Sequence, residues 1–349
     1  MNQKKNWLGG GLLLALMALT LFLLLRDQPF GQLAAVLGSI RPGYVAGGLG
    51  LMFLFVGCEA MCSKLILTKL GHAPKYRRCL GYSFVGFYVS SITPSATGGQ
   101  PAQIYYMSRD GIPPAHGALN MMLIAVCYQV SILLYAIGAL IYKPSLLAAM
   151  GSGLGLLLLY GAGIMLVLTA GMLGFLFLPH AAAKLAGHVL SMLTGLHILK
   201  NRAAAQEKLD AQMAEYRAGA DCLKGNPALL PKLLGLTFLQ LTALFLVPFM
   251  VYRALGLTGH AAPELVCAQA LLTLAVSMLP LPGAVGASEG GFITFFTLFF
   301  GAGLVTPAVL VSRGISFYAF LAISALATLV VHLTTKKSRP PCGNEIFSV

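Results

Sequence analysis

Two segments of the sequence share a pattern in which a serine is followed three residues later by a proline and then by two glycines. They read SSITPSATGGQ at residues 90–100 and SMLPLPGAVGASEGG at residues 277–291. The patterned residues are Ser91, Pro94, Gly98, Gly99, Ser277, Pro280, Gly283 and Gly286. Such residues interrupt a helix, and the freed amides at the next helix N-terminus carry partial positive charge. The pattern predicts a site for a polar or anionic group, with proline-kinked helices that serve only packing as the alternative.

The second segment also carries Glu289, and Arg313 follows it in SRGIS within an apolar run. Charged side chains inside a membrane are costly unless they are paired or hydrated, so each residue is a candidate for function. Two interpretations remain open. The two side chains form a structural ion pair, or Arg313 binds a lipid phosphate while Glu289 binds a cationic headgroup or a proton.

Two further ionisable residues are weaker candidates for substrate binding. Glu59 lies in the apolar stretch FVGCEAMCSK, where Ser63, Lys64 or a neighbouring helix is the alternative partner for its carboxylate. Arg109 follows the first segment and either meets a lipid headgroup or forms a solvated pair with Asp110.

The composition places these residues in an integral membrane protein. Hydrophobic residues make up 58% of the 349 residues and charged residues only 9%, whereas soluble domains carry about 25% charged residues. Mean hydropathy is +0.82. The net charge of +13 is attributed to basic loops at the cytoplasmic face, so no nucleic-acid partner is expected.

No motif of the sequence indicates a cofactor, a metal or a catalytic centre. The seven cysteines form no C-x-x-C pair, and most lie in apolar runs, where free cysteine behaves as a small hydrophobic residue. A Walker A loop, an H-E-x-x-H and a G-x-S-x-G are missing from the sequence.

The apolar runs predict an all-α polytopic fold with about six full spans and two re-entrant broken-helix hairpins. The predicted spans are residues 8–25, 43–67, 119–141, 151–178, 229–252 and 303–335. The predicted hairpins, 79–107 and 263–300, contain the two patterned segments and enter from opposite faces, as an inverted repeat requires. Since residues 263–281 are long enough to cross alone, a topology with two more full spans is the rival.

The whole chain, 1–349, is interpreted as one transmembrane domain. A first half (1–180) and a second half (229–335) are joined by an amphipathic connector (181–228), and a short tail (336–349) follows. The connector either lies along the inner surface or forms an ordinary helical hairpin. Basic loop residues predict a multi-pass protein of the cell (inner) membrane with cytoplasmic N- and C-termini.

The segments SSITPSATGGQPAQIYYMSRDGI and PLPGAVGASEGGF resemble the two signature segments of the lysylphosphatidylglycerol synthase transmembrane (flippase-like) family. The resemblance extends over about residues 8–335 and implies a membrane protein that moves a phospholipid between leaflets. Two-domain relatives add a soluble domain that transfers an aminoacyl group from charged tRNA to phosphatidylglycerol. Because only residues 336–349 follow the last predicted span, we expect the membrane unit without that domain.

The first segment departs from the family pattern at two positions. Many relatives carry a glutamate and an arginine where this sequence has Gln100 and Gln103. Amide side chains still hydrogen-bond a headgroup, but they provide no charge selectivity.

These observations predict a lipid flippase or transporter for a membrane phospholipid, with aminoacylated phosphatidylglycerol as one candidate, rather than a lysyltransferase. A membrane enzyme or enzyme subunit acting on lipid headgroups, and a scaffold for a partner synthase, are the alternatives. The candidate partners are the phospholipid, a second copy of the chain and a separate lipid-modifying synthase.

Overall fold

The computed structural model describes residues 35–36, 38–177 and 202–335, and within these ranges the chain is helical and contains no strand. The predicted all-α polytopic class is confirmed. The predicted span 8–25, the cytoplasmic N-terminus, residues 181–201 of the connector and the tail 336–349 lie outside the described residues.

We number the helices in chain order. They are α1 (Pro42–Lys69), α2 (Tyr76–Ile92), α3 (Gly99–Arg109), α4 (Pro114–Tyr142), α5 (Ser145–Ala149), α6 (Gly151–Phe177), α7 (Arg202–Lys224), α8 (Leu229–Phe245), α9 (Val247–Ala254), α10 (Ala262–Val276), α11 (Ala287–Arg313) and α12 (Phe320–Thr334). Tight 3₁₀ turns, Pro94–Ala96 and Pro282–Ala284, precede α3 and α11, and a π-helical turn, Gly314–Ala319, joins α11 to α12.

Five helical stretches among the described residues are long and apolar enough to cross a membrane. They are Pro42–Lys69, Pro114–Tyr142, Gly151–Phe175, Leu229–Ala254 and Pro282–Thr334. The last stretch is interrupted at Gly301, whose φ of 71° and ψ of 164° are not helical. It therefore divides into a half-helix, residues 287–300, and a long final segment that begins one residue later and matches the predicted span 303–335.

The first hairpin consists of α2 and α3, which pack against each other in antiparallel directions. Tyr82 near the start of α2 donates a hydrogen bond to Asp110, just beyond α3, at 2.5 Å. Closer to the turn, a Cβ on Gly99 would lie 2.0 Å from the Ser90 hydroxyl oxygen. With 17 and 11 residues, both helices are shorter than the ~20 residues that a span needs.

The second hairpin consists of α10 and the half-helix 287–300 of α11. Leu272 packs beside Gly291 near the turn, and the rings of His260 and Phe299 lie 5.0 Å apart at the open end. These pairs require antiparallel helices. Because α10 has only 15 residues, its length favours the predicted hairpin over the rival topology with two more full spans.

Contacts between helix termini define two ends of the bundle. At the Lys69 end, the carbonyl of Lys69 accepts a hydrogen bond from Cys222 at 3.2 Å, and Arg78 donates to the carbonyl of Thr334. At the Arg41 end, the amide of Arg41 donates to the carbonyl of Ala254 at 3.2 Å. The end of α1, the start of α2 and the end of α12 therefore lie at the Lys69 end. The start of α1 and the end of α9 lie at the Arg41 end.

The two halves of the described chain form an inverted repeat. Each half has a long helix, a hairpin and a second long helix, and residues 42–142 run in the opposite sense to residues 229–334. The first hairpin opens toward the Lys69 end and the second toward the Arg41 end, where Lys143 and Glu264 form an ion pair at 2.9 Å. The hairpins therefore enter the bundle from opposite ends, as predicted.

Outside the repeat, α6 packs against α10 and α4, and α7 packs against α4. The outer face of α6 exposes large apolar side chains such as Leu159 and Val167, which suits contact with lipid tails. In α7, Ala220 and Leu223 are buried, and Gln212 accepts a hydrogen bond from the amide of Ala115 at 3.2 Å. The described part of the predicted connector is thus a helix held against α4.

Candidate functional site

The tips of the two hairpins meet between the two ends of the bundle. The turn Pro94–Ala96 contacts the turn Pro282–Ala284. Beside them, buried Val285 and Phe317 pack with three partly buried neighbours, Ile92, Tyr318 and Leu321. We call this region, formed by the two 3₁₀ turns and the π-helical turn, the tip junction. It joins both halves of the repeat to the final span.

The structure corrects the alignment of the two patterned segments. Pro94 and Pro282 each begin a 3₁₀ turn, and the third residue of each turn has a positive φ, 54° at Ala96 and 50° at Ala284. Gly98 and Gly286 then precede α3 and α11 as equivalent residues. The predicted pairing of Pro94 with Pro280 is therefore wrong by two residues, because spacing from the preceding serine does not set where the turn begins.

Glu289 stabilises the start of α11. Its side chain is 1% exposed. One carboxylate oxygen, Oε2, accepts a hydrogen bond from the amide of Gly286 at 2.7 Å, and the other, Oε1, accepts from Nε of Arg313 at 2.7 Å. A carboxylate at this position also interacts favourably with the positive end of the helix dipole. Glu289 therefore caps the helix that follows Gly286.

Arg313 ties the final span to the second tip. Besides the ion pair with Glu289, its Nη2 donates to the carbonyl of Gly283 at 3.1 Å, and its guanidinium lies 4.3 Å from the ring centre of Phe317. The predicted pairing of Glu289 with Arg313 is present. The Arg313 side chain is 16% exposed, so part of its guanidinium stays accessible to a ligand.

Glu59 lies beside the first hairpin rather than at the tip junction. Nε2 of Gln103 on α3 donates to Oε1 of Glu59 on α1 at 3.1 Å. The neighbouring helix therefore supplies the partner of this carboxylate. Ser63 accepts instead from Asn120, and Lys64 lines a separate cavity.

The remaining predicted residues are distributed unevenly. Ser91 uses its hydroxyl inside α2, where it donates to the carbonyl of Phe87 at 2.8 Å. Pro94, Gln100 and Pro280 are exposed. Arg109 lies at the far end of α3, about 15 Å along the helix from Gly99, with its guanidinium 5.8 Å from the Tyr105 ring. Arg109 is therefore remote from the tip junction.

Several polar and aromatic residues near these sites were not predicted. Tyr318 donates to Glu289 at 3.4 Å, and Phe317 faces Arg313. Near Glu59, Ser83 and Gln240 are each 1% exposed. Two signals were available in the sequence. They are the aromatic pair Phe317 and Tyr318, four and five residues after Arg313, and a single glutamine in the apolar run TFLQLTALF.

A basic cavity opens at the Lys69 end between α1 and α8. Its volume is about 280 Å³. Its walls are partly apolar, with Met61 and Leu229, and three lysines, Lys64, Lys69 and Lys232, surround it. None of these lysines forms an ion pair with a described acidic residue. The combination of apolar walls and uncompensated positive charge suits an anionic amphiphile.

Comparison with curated proteins and comparison with solved structures give no match to this chain. A family model described as the lysylphosphatidylglycerol synthase TM region matches residues 7–324. This range contains both hairpins and all residues of the tip junction. The chain therefore belongs to the lysylphosphatidylglycerol synthase TM region family.

Proposed function

We propose that this protein is a flippase that moves a phospholipid between the two leaflets of its membrane. The observation that carries the proposal is the contact between two half-helix hairpins, which enter from opposite ends and bring their interrupted backbone together between those ends. Broken helices at membrane depth, in the two halves of an inverted repeat, are the usual position of a transporter's substrate site.

The lipid headgroup binds at the tip junction, while the acyl chains stay in the surrounding lipid. Rocking of one half of the repeat against the other exposes the junction to one leaflet and then to the other. The tips belong to different halves, so their contact is the part of the molecule that such a motion rearranges. Arg313 supplies a partly exposed guanidinium that suits a phosphate.

The charges favour an anionic phospholipid as substrate. The three lysines of the cavity between α1 and α8 attract an anionic headgroup at the Lys69 end. Family membership supports phosphatidylglycerol and its aminoacylated form as the first lipids to test. Both forms carry a phosphate, which the partly exposed guanidinium of Arg313 complements.

Reconstitution in liposomes tests this function. The protein is inserted with fluorescent phosphatidylglycerol or with lysyl-phosphatidylglycerol, and leaflet exchange is followed beside chemical analysis of the lipid. Exchange without chemical change is expected in the wild type and in a Glu264→Gln control, and loss of exchange is expected in Arg313→Gln. A modified headgroup would instead indicate an enzyme. If the protein neither exchanges nor modifies the lipid, a scaffold for a partner synthase becomes the better interpretation.

A further inference from the structure

A second group of buried polar residues surrounds Glu59, separate from the pair at the tip junction. Glu59 lies about 15 Å along α1 from Lys69. Ser83 on α2, Gln103 on α3 and Gln240 on α8 face its carboxylate, with exposures of 1%, 5% and 1%. Four helices thus contribute to one polar pocket within the apolar bundle.

The hydrogen bonds of this pocket are incomplete. Gln103 donates to Glu59 through Nε2, but its Oε1 is buried and has no hydrogen-bond partner among the described residues. The same is true of the Ser83 hydroxyl oxygen. Buried oxygens without partners are costly. Together with the Glu59 carboxylate, these oxygens can coordinate a cation.

Glu59 has no cationic partner in the part of the chain that the structure describes. Among the described residues, no lysine, arginine or histidine forms an ion pair with it. The titratable groups that interact with it are Cys62 on α1 and Tyr128 on α4, and neither is a cation. The groups facing it from α2, α3 and α8 are the neutral Ser83, Gln103 and Gln240. An uncompensated carboxylate in such a setting is strongly unfavourable.

We propose that Glu59, Gln103 and Ser83 form a binding site for a monovalent cation, either a proton or a sodium ion, whose binding drives lipid movement. A proton on the carboxyl group removes the buried charge and makes the group a donor for the oxygen of Gln103. A sodium ion is coordinated by the same oxygens. The coupling part of this inference rests on the proposed transport function, whereas the cation site does not.

The position of Gln103 explains how cation binding reaches the substrate site. Gln103 belongs to the first hairpin, four residues beyond Gly99, and Glu59 belongs to the long helix α1. Binding or release of the cation changes the contact that holds the hairpin to α1. The tip of this hairpin forms half of the tip junction, so its displacement alters access of the headgroup.

Cation binding is tested on the purified full-length protein without added substrate lipid. Infrared difference spectra report a protonated carboxyl, and thermal unfolding in sodium chloride against choline chloride reports sodium binding. Glu59→Gln is compared with the matched control Glu264→Gln, whose carboxylate pairs with Lys143. A carboxyl band at neutral pH that only Glu59→Gln removes supports the proton. A sodium-dependent rise in unfolding temperature that only Glu59→Gln abolishes supports sodium.

A wild type with neither signature, or signatures that persist in Glu59→Gln, would overturn the site. In liposomes with an imposed pH or sodium gradient, the wild type is expected to accumulate labelled phosphatidylglycerol in one leaflet. Glu59→Gln is expected to equilibrate it regardless of the gradient. Gradient-independent exchange by the wild type would refute the coupling. Failure of all lipid exchange with intact cation binding would count against the flippase function and not against the cation site.

Discussion

At the scale of residues, the two charges beside the tip junction neutralise each other and also hydrogen-bond backbone groups of the second tip. Glu289 binds the amide of Gly286, and Arg313 binds the carbonyl of Gly283. The same two side chains are paired at 2.7 Å. The pair therefore fixes the shape of the second tip, and any role in headgroup binding requires only its partly exposed member, Arg313.

Removing Arg313 or Glu289 from this pair should destabilise the protein by different amounts. Glu289 is the more buried partner, so Arg313→Gln should cost about 3–5 kcal/mol and Glu289→Gln less. A double Glu289→Gln, Arg313→Gln variant should recover most of the stability and yet fail to exchange lipid. Thermal unfolding and leaflet exchange on all three variants measure this. Normal exchange by the double variant would leave the hairpin amides as the surviving candidate site.

A histidine pair at the Lys69 end should make stability depend on pH. Nε2 of His72 lies 2.8 Å from Nδ1 of His116. Burial, and then the neighbouring His116, lower the pKa of His72 from its usual value. The unfolded state, with a pKa of about 6.5, therefore binds the proton more strongly.

The contribution of His72 to stability should be complete above pH ~6.5 and should decline as pH falls below it. Unfolding temperature measured across this range should show a steeper decline for the wild type than for His72→Gln. His332→Gln, which alters a histidine bonded to Tyr106, is the matched control and should keep the wild-type slope. Equal slopes for the wild type and His72→Gln would contradict the assignment.

At the scale of elements, glycine allows the hairpins to close for two different reasons. Gly283 and Gly286 have φ values of 59° and 88°, which residues with a Cβ rarely adopt. Gly98 and Gly99 have no positive φ, but they lie where α2 and α3 approach closely. The first tip thus depends on packing, whereas the second depends on backbone conformation as well.

Alanine substitutions should distinguish glycines of the hairpins from other helical glycines. A Cβ on Gly99 would lie 2.7 Å from the backbone oxygen of Gly86, and one on Gly283 would lie 2.3 Å from the Phe317 ring. Gly99→Ala and Gly283→Ala should each cost about 1–3 kcal/mol and stop lipid exchange. Gly163→Ala in α6, where a Cβ meets nothing within 4 Å, should be neutral or stabilising. Full exchange by both hairpin variants would favour helices kinked for packing alone.

At the scale of the whole molecule, the two ends carry different amounts of positive charge. Basic residues at or near the Lys69 end are Lys64, Lys69, Lys75, Arg77, Arg78, Arg109, Lys224 and Lys232, whereas Arg41, Lys143 and Arg253 lie at the other end. In membrane proteins, the loops on the cytoplasmic side carry an excess of lysine and arginine. The asymmetry predicts that the Lys69 end faces the cytoplasm.

Labelling of introduced cysteines tests this orientation. In a variant without native cysteines, Arg109→Cys should react with a membrane-impermeant thiol reagent only after the cells are opened, and Arg253→Cys should react in intact cells. The two positions belong to opposite ends of the bundle, so one is the control for the other. External labelling at position 109 would refute the predicted orientation or the first hairpin.

The sequence by itself determined the features that depend on local composition. Apolar runs located the spans within the described residues, and Pro94, Gly98, Pro280 and Gly286 located both breaks to within two residues, because helix formation and its interruption are local properties. Only the tertiary structure decided which distant residues meet. It aligned the turns from Pro94 and Pro282, paired Gln103 with Glu59 and brought Arg313 to Gly283, and it left Arg109 far from the tips. Such contacts depend on how the two inverted halves pack, which no local pattern specifies.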